Sequence, residues 1–345
     1  MKINAINFNP SNAQTNSTTN GTNEFTFFTP QKSEEVPAEI KPMQNISDEE
    51  IERKRYIIEN IPKTYTVKPG DTANSIAKAH NISVNYLLSY NGLKGNEILT
   101  PNKTVFKIPS ARMAKNIYSI NDVAKAMGVS QNFIKNLKKF EDGQKTNGTL
   151  YRENEFHNTP YIDSEGNKTI GIGHVMKKGD KSYLTNKQVL KTFTNDLLTM
   201  EENLWSIIGK SNYEKLPQPI KEALLDMTFN KGTAIIENSE GFIWCLKNGK
   251  YEAAINKMTD IRSYKGNEMS GLAKRRLFDI ATACKIYNGN IPNSNLATAQ
   301  NLYKKGIELL RQECKENNLN FENQLVGYNN EIQNLWGDKI KLINQ

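Results

Sequence analysis

The sequence predicts an α+β protein: a mainly helical lobe with a small β-hairpin, preceded by a compact βααβ unit. Three observations carry this. Residues 161–174, reading YIDSEGNKTIGIGH, set a polar, glycine-containing turn between two short β-branched stretches, which is hairpin chemistry. From residue 184 onward apolar residues recur at helical spacing, with Phe193, Leu197 and Leu198 on one face and IKEALLDMTFNKG at 220–232 as a long central helix. Residues 63–109 read strand, helix, helix, strand.

The 345 residues suffice for two or three domains, and 37% apolar content is low for one globule. No apolar run approaches the roughly 18 residues of a membrane-spanning helix, and the N-terminus has no continuous apolar core of a secretory signal. Cys245, Cys284 and Cys314 are odd in number and widely spaced, so buried free thiols are expected rather than disulfides or a metal cluster. With three histidines and no paired Cys/His spacing, no metal and no cofactor is expected. The net charge of +8 implies an anionic partner: nucleic acid, a membrane surface or an anionic cell wall.

Residues 1–46 are rich in Asn, Ser, Thr, Pro and Glu around a small aromatic patch at Phe25, Phe27 and Phe28, a composition that predicts a disordered arm. Ser47 and Glu50 form a capping box for a short charged helix running to about Asn60 within a 47–62 linker, ended by Pro62. In 63–109, residues 64–67 form a strand, Pro69-Gly70-Asp71 a turn with Asp71 or Thr72 as helix cap, 75–79 and 84–90 two helices, and 104–109 the closing strand. Residues 110–132 are a basic connector. Its SINDVAKAMGVS motif at 119–130 also describes two helices around a Gly turn, so residues 119–139 as a DNA-binding helix-turn-helix are a rival to a solvated linker. Apolar residues 133, 134, 137 and 140 then form a helix face, followed by Glu141 and a Gly143 stop. Beyond 289, the segments 302–310 and 324–343 predict a helical tail, either a hairpin on the main lobe or an oligomerisation element.

The order of helix, Glu141-x-Gly143 and then Y-x-D-x-x-G-x-x-T-I-G-x-G-H resembles the phage-type lysozyme family, the endolysin muramidases. The resemblance covers about residues 133–289 and includes A-L-x-x-M-x-F-N-x-G in the central helix and GLAKRR at 271–276. Segment 63–109, with YTVKPGDT, SIAK, LLSYNGL and KIP, resembles a LysM module, although Ala73 stands where that family usually has leucine. The LysM resemblance implies a shallow groove for N-acetylglucosamine-containing glycans at Gly70, Asp71, Thr72, Ala73, Asn96, Ile98 and Leu99. Together the two imply a bacteriolytic, monomeric peptidoglycan hydrolase that cuts the β-1,4 bond between N-acetylmuramic acid and N-acetylglucosamine. The partner is bacterial peptidoglycan and no nucleic acid is expected. Such a protein is made in the cytoplasm and acts at the wall, its export falling to a holin, an injection machine or lysis. A catalytically inactive glycan-binding protein is the alternative.

Glycosidic cleavage needs a proton for the leaving oxygen and a negative group near the anomeric carbon. Glu141, at the end of an apolar face, suits the acid, and Asp163, beside a polar turn, suits the anion. The resemblance implies that Asp163 and Thr169 hold a water on the opposite sugar face, giving inversion. Inversion needs carboxyl groups about 6.5–9.5 Å apart, against about 5–5.5 Å for retention. His174 supports the site, either by pairing with an acidic group or by simple packing, and Asn230 and Arg275 line the cleft or serve as cap and surface charge. Glu141 and Asp163 lie 22 positions apart, more than twice the family's usual spacing, so residues 144–160 read as an insertion. Glu153 or Glu155, nearer Asp163, therefore remain alternatives for the acid.

Overall fold

A computed structural model describes residues 47–95, 98–142, 152, 154–163, 166–260, 263–264 and 267–343. The expectations for residues 1–46, and those for Asn96, Glu153 and most of the 144–160 insertion, lie outside them.

The first helix, α1 (Asp48–Tyr56), starts where expected, with Ser47 Oγ accepting from Glu50 N at 3.2 Å. It stops at Tyr56 rather than near Asn60. Ile57 and Ile58 instead enter strand β1 (Ile57–Glu59), which pairs with residues more than fifty positions away, a contact that local sequence does not announce. Strand β2 (Lys63–Thr66), helices α2 (Ala73–Ala79) and α3 (Val84–Tyr90), and β3 (Val105–Ile108) form the βααβ unit, with β2 and β3 antiparallel. Thr72 is the α2 cap, and it forms a capping box with Ser75. Asp71 takes the Lys68 amide at 2.7 Å and the Tyr65 hydroxyl at 2.8 Å, tying the turn to β2. The unit has its own small core, built around Val67, Ile76, Leu87, Phe106 and Ile108.

The expected connector is structured. β4 (Arg112–Ala114) pairs with β1, and α4 (Ile120–Met127) carries a capping box and ends at Gly128 with φ +63°. Ser130 caps α5 (Gln131–Asp142): its Oγ accepts from Phe133 N, while its own amide reaches Glu222 at 2.6 Å. Lys138, one of the basic residues of this region, points inward, to the Arg152 carbonyl at 3.0 Å and over the Phe156 ring.

A three-stranded antiparallel sheet follows: β5 (Tyr161–Ile162), β6 (Lys168–Ile170) and β7 (His174–Val175), in that order. The expected hairpin is present, and β7 adds a strand through the Gly171-Ile172-Gly173 turn. Helices α6 (Asn186–Ile208), α7 (Lys210–Glu214) and α8 (Gln218–Lys231) come next, with Thr185 capping α6 and Pro217 and Gly232 bracketing α8. They are followed by α9 (Ala234–Glu237), α10 (Glu240–Lys247), α11 (Tyr251–Lys257), a short ribbon of β8 (Ser263–Tyr264) and β9 (Asn267–Glu268), and α12 (Ser270–Ala283). The tail is a hairpin of α13 (Asn293–Glu316) and α14 (Phe321–Trp336). Its apolar face, including Leu302, Tyr303, Ile307, Ile332 and Trp336, is buried in the same core as α5, α6, α8 and α12. The three cysteines are free and buried. No helix among the described residues is long and apolar enough to cross a membrane.

Gly306 in α13 allows the hairpin to close on α12. A β-carbon there would overlap the Tyr328 hydroxyl and stand 3.1 Å from its ring carbon and 3.4 Å from Ala273. Gly306→Ala is therefore expected to destabilise the chain by about 1–3 kcal/mol, the usual cost of overpacking. Thermal unfolding checks this; an unchanged melting temperature would show that Tyr328 relaxes freely.

Candidate active site

The site forms where the end of α5 meets the three-stranded sheet and the start of α12. Antiparallel register sets Tyr161 opposite Thr169, so the residue after β5, Asp163, meets the Thr169 side chain. Thr169 is buried, with its hydroxyl 3.3 Å from Asp163 Oδ2 and 3.3 Å from the Asn167 carbonyl. Asp163 also accepts from the Asn167 amide at 2.8 Å and from Asn167 Nδ2 at 3.1 Å. The carboxylate thus closes its own turn and is held by hydrogen bonds before any ligand arrives.

Glu141 approaches from the other side. It packs against Gly173, where a β-carbon would lie 3.1 Å from Glu141 Oε2 and 3.0 Å from the Phe229 ring. Gly173 has φ +67°, so both its backbone conformation and this close approach demand glycine. The setting of Glu141 differs from the apolar one its helix face suggests: Arg275 Nη2 stands 2.6 Å from Glu141 Oε1. Arg275 is no surface charge. It is buried over the Phe140 ring and binds Asp226 through Nε at 2.8 Å and Nη2 at 3.1 Å. Burial alone would lower the Arg275 pKa, but Asp226 and Glu141 outweigh it, so the guanidinium is held charged.

Behind Arg275 lies Arg276, fully buried, 3.6 Å from Asp226 and 3.0 Å from Asp279. Burial pushes the Asp279 carboxyl well above the usual range; Arg276 opposes this and Asp226 adds to it. Asn230 touches this group through Arg276 Nη2 at 3.5 Å. The alternative acid Glu155 accepts from the Arg152 amide at 2.9 Å. Lys138 binds the Arg152 carbonyl at 3.0 Å, so Arg152 lies beside α5.

His174 pairs with Asp196 on α6, Nδ1 to Oδ2 at 2.8 Å, and its Nε2 lies 3.4 Å from Asp180. The Asp196 hydrogen bond raises the His174 pKa; burial opposes this, and the charges of Asp196 and Asp180 reinforce it. Sequence reading did not find Asp180, Asp196, Asp226, Arg276 or Asp279. The signal that was available is the pair of adjacent Arg residues, which bring two charges to a helix otherwise patterned for burial. Among the described residues, no three His, Cys, Asp or Glu side chains gather as a metal ligand set.

In the βααβ unit, Asp71, Thr72, Ala73, Gly95 and Leu99 line a cavity of about 270 Å³ together with Leu88 and Leu93. Gly70 shapes the adjoining turn at φ +86°, while Ile98 is 91% exposed beside it.

A histidine whose pKa rises on folding contributes stability below its unfolded value, near pH 6.5, and loses it as pH rises through the folded value. The His174–Asp196 bond is worth about 1.5–3 kcal/mol while the imidazole is charged. Asp196→Asn should therefore lower the melting temperature most below pH 6.5, and the gap from wild type should narrow toward pH 9. A gap independent of pH would mean that the pair acts by packing alone.

Residues 152–278 match the family model described as phage lysozyme, and residues 65–106 match that of the LysM domain. The first match takes in Asp163, Thr169, His174 and Arg275 but begins after Glu141. No curated protein matches the chain. Among solved structures, the chain is similar to the active form of the P1 phage endolysin Lyz, at 16% identity and a TM-score of 0.39, covering 50% of this chain and 98% of that one. It is also similar to the muramidase domain of SpmX from Asticaccaulis excentricus, at 18% identity and a TM-score of 0.35, covering 45% of this chain and 96% of that one. The chain thus carries a phage lysozyme domain and an N-terminal LysM domain, the two working parts of a peptidoglycan hydrolase that binds the cell wall.

Proposed function

We propose that this chain is an N-acetylmuramidase in which Glu141 protonates the leaving oxygen, while Asp163 and Thr169 hold the attacking water. The observation that carries this reading is the approach of the Glu141 carboxyl to Gly173, on the same small sheet whose β5–β6 turn holds Asp163 against Thr169. Two carboxyl groups thereby come from separate elements onto one sheet.

Each group has a fitting role. Asp163, anchored by the Asn167 amide, is fixed in orientation and so can direct a water without reorganising. Thr169 Oγ, beside Asp163 Oδ2, offers a second contact to the same water. Attack from the hairpin side, with protonation from the α5 side, leads to inversion at the anomeric carbon. Arg275 already gives two N–H groups to Asp226, so its contact with Glu141 positions the carboxyl without depending on it as sole counter-charge. The LysM cavity beside Thr72 and Leu99 would take N-acetylglucosamine-containing glycan and keep the enzyme on the wall.

Digestion of purified peptidoglycan, with products identified by mass spectrometry, tests the assignment. Wild type should release muropeptides with new muramic-acid reducing ends, and Glu141→Gln should release at least a hundredfold fewer, about the contribution of a general acid. Equal release by both would move the acid to Glu153 or Glu155. No release by either would leave a glycan-binding protein. Proton NMR of the first product anomer decides inversion against retention.

A further inference from the structure

A general acid must hold its proton until the leaving oxygen takes it. Arg275 works against this at Glu141: its Nη2 stands 2.6 Å from Glu141 Oε1, and a close cation favours the ionised carboxyl. What else Arg275 binds therefore decides how firmly the proton is kept. Asp226 is fully buried on α8 and accepts from Arg275 twice, from Nε at 2.8 Å and from Nη2 at 3.1 Å. This is the two-pronged geometry of the strongest guanidinium–carboxylate pairs. The same Nη2 thus faces both carboxyl groups, and Asp226 and Glu141 compete for it.

The neighbouring guanidinium raises the demand on Asp226. Arg276 Nη2 lies 3.6 Å from Asp226 Oδ2 and 3.0 Å from Asp279 Oδ2. Burial pushes the Asp279 carboxyl well above the usual range, so Asp279 offsets Arg276 less than an ordinary carboxylate does. Asp226 is the anion that meets both guanidinium groups. Other charged groups on the surrounding elements have contacts of their own. Lys138 of α5 reaches the Arg152 carbonyl, Glu222 of α8 takes the Ser130 amide, and Lys274 of α12 pairs with Glu331. On the sheet, Asp163 is tied to Asn167, and His174 to Asp196 and Asp180.

We propose that Asp226 is a positioning residue for the hydrolytic step: by holding Arg275 in a two-pronged contact, it keeps that cation from fixing Glu141 as a carboxylate. The inference deepens the hydrolytic reading and rests on Glu141 as the acid. Asp226 acts through Arg275, whose other contact is Glu141 itself. The sign does not depend on what else Glu141 touches. Removing the negative charge beside Arg275 leaves more of the guanidinium to Glu141, and the carboxyl then ionises at lower pH. Activity falls away at lower pH too, since only the protonated acid can serve the leaving oxygen.

Asp226→Asn, which keeps the shape and removes the charge, tests this in the full chain. Two readouts follow Glu141. One is the alkaline limb of the rate on solubilised peptidoglycan at low substrate; the other is the ¹³C titration of the carboxyl carbon, assigned with Glu141→Gln. Both should move to lower pH by about one unit or more, the usual reach of a nearby opposite charge, so that the rate above the limb drops roughly tenfold. A merely structural role would lower the rate alike at every pH and leave the limb in place. Because an unpaired buried arginine can prevent folding, the second variant is Asp226→Leu/Arg275→Met, an exchange of a buried ion pair for apolar side chains that folds generally tolerate. There Glu141 should lose its proton at or above the wild-type pH, and if Asp226→Asn does not fold this variant decides alone. An unmoved Glu141 resonance in Asp226→Asn, or a shift to lower pH in the double variant, would overturn the proposal. A resonance that moves while the rate limb stays would uphold the coupling through Arg275 and overturn Glu141 as the acid. Failure of the whole hydrolytic reading would appear separately, as wild type unable to digest peptidoglycan, with the carboxyl titration still reporting on Asp226.

Discussion

Arg275 and Arg276 bring two adjacent positive charges into the interior at the start of α12, and matching those charges sets the arrangement of the catalytic lobe. Asp226, on α8, faces both. Asp279, one turn along α12, takes Arg276, and Glu141, at the end of α5, takes Arg275. Pairs buried like this contribute little net stability, because desolvation cancels much of the attraction, yet removing one partner costs about 3–5 kcal/mol. Their effect is therefore on geometry: α5, α8 and α12 can close only in the register that brings all five groups together. Glu141 inherits its position from that requirement.

A second buried network sets the LysM unit. Glu201 and Glu202 on α6 meet Arg112 of β4, and Arg53 of α1 reaches Glu201 at 3.1 Å. Arg53 and Arg112 overcome the burial that would otherwise raise the Glu201 pKa and hold it below the usual value, whereas burial dominates at Glu202 and raises it. Glu202 accepts from the Ser83 amide at 3.0 Å, at the cap of α3, and Tyr86 packs edge-on against Trp205 with ring centroids 5.3 Å apart. A tethered pair of modules would owe its avidity to linker length. Here the segment between the modules is itself folded, and the α3–α6 contact fixes the offset between them.

What was legible in the sequence follows the range of the interactions involved. The Asp163–Thr169 pair spans six positions, and turn chemistry plus antiparallel register is enough to bring them together. Gly173 could be read as a place of close approach, because the absence of a side chain is itself the signal. The partner of His174 is 22 positions away on a helix whose local pattern says only amphipathic, so Asp196 could not be singled out. Asp226 and Asp279 sit in helices where a lone carboxylate ordinarily marks the solvent face. Asp226 meets an arginine 49 positions away, which only the folded chain brings to it, and Asp279, though one helical turn from Arg276, is buried only because other helices cover that face of α12. The end of α1 was misread for the same reason: the strand preference of Ile57 and Ile58 is realised through β4.

Helix α12 shows why the tail cannot be a detachable appendage. Its start supplies Arg275 and Arg276 to the buried charge network around Glu141, and its opposite face is covered by α13, with Gly306 close to Ala273. Ser270, at the first turn of α12, gives its amide to Glu313 of α13 at 2.8 Å, and Lys274 pairs with Glu331 of α14 at 2.7 Å. The residues that bind the tail hairpin, Ser270, Ala273 and Lys274, thus directly precede Arg275, which holds Glu141. A helix with fully buried charges on one side needs a rigid support on the other, since rotation about its axis would part Arg275 from Glu141 and both arginines from Asp226. The tail provides that support, and the position of the Glu141 carboxyl depends on it through α12.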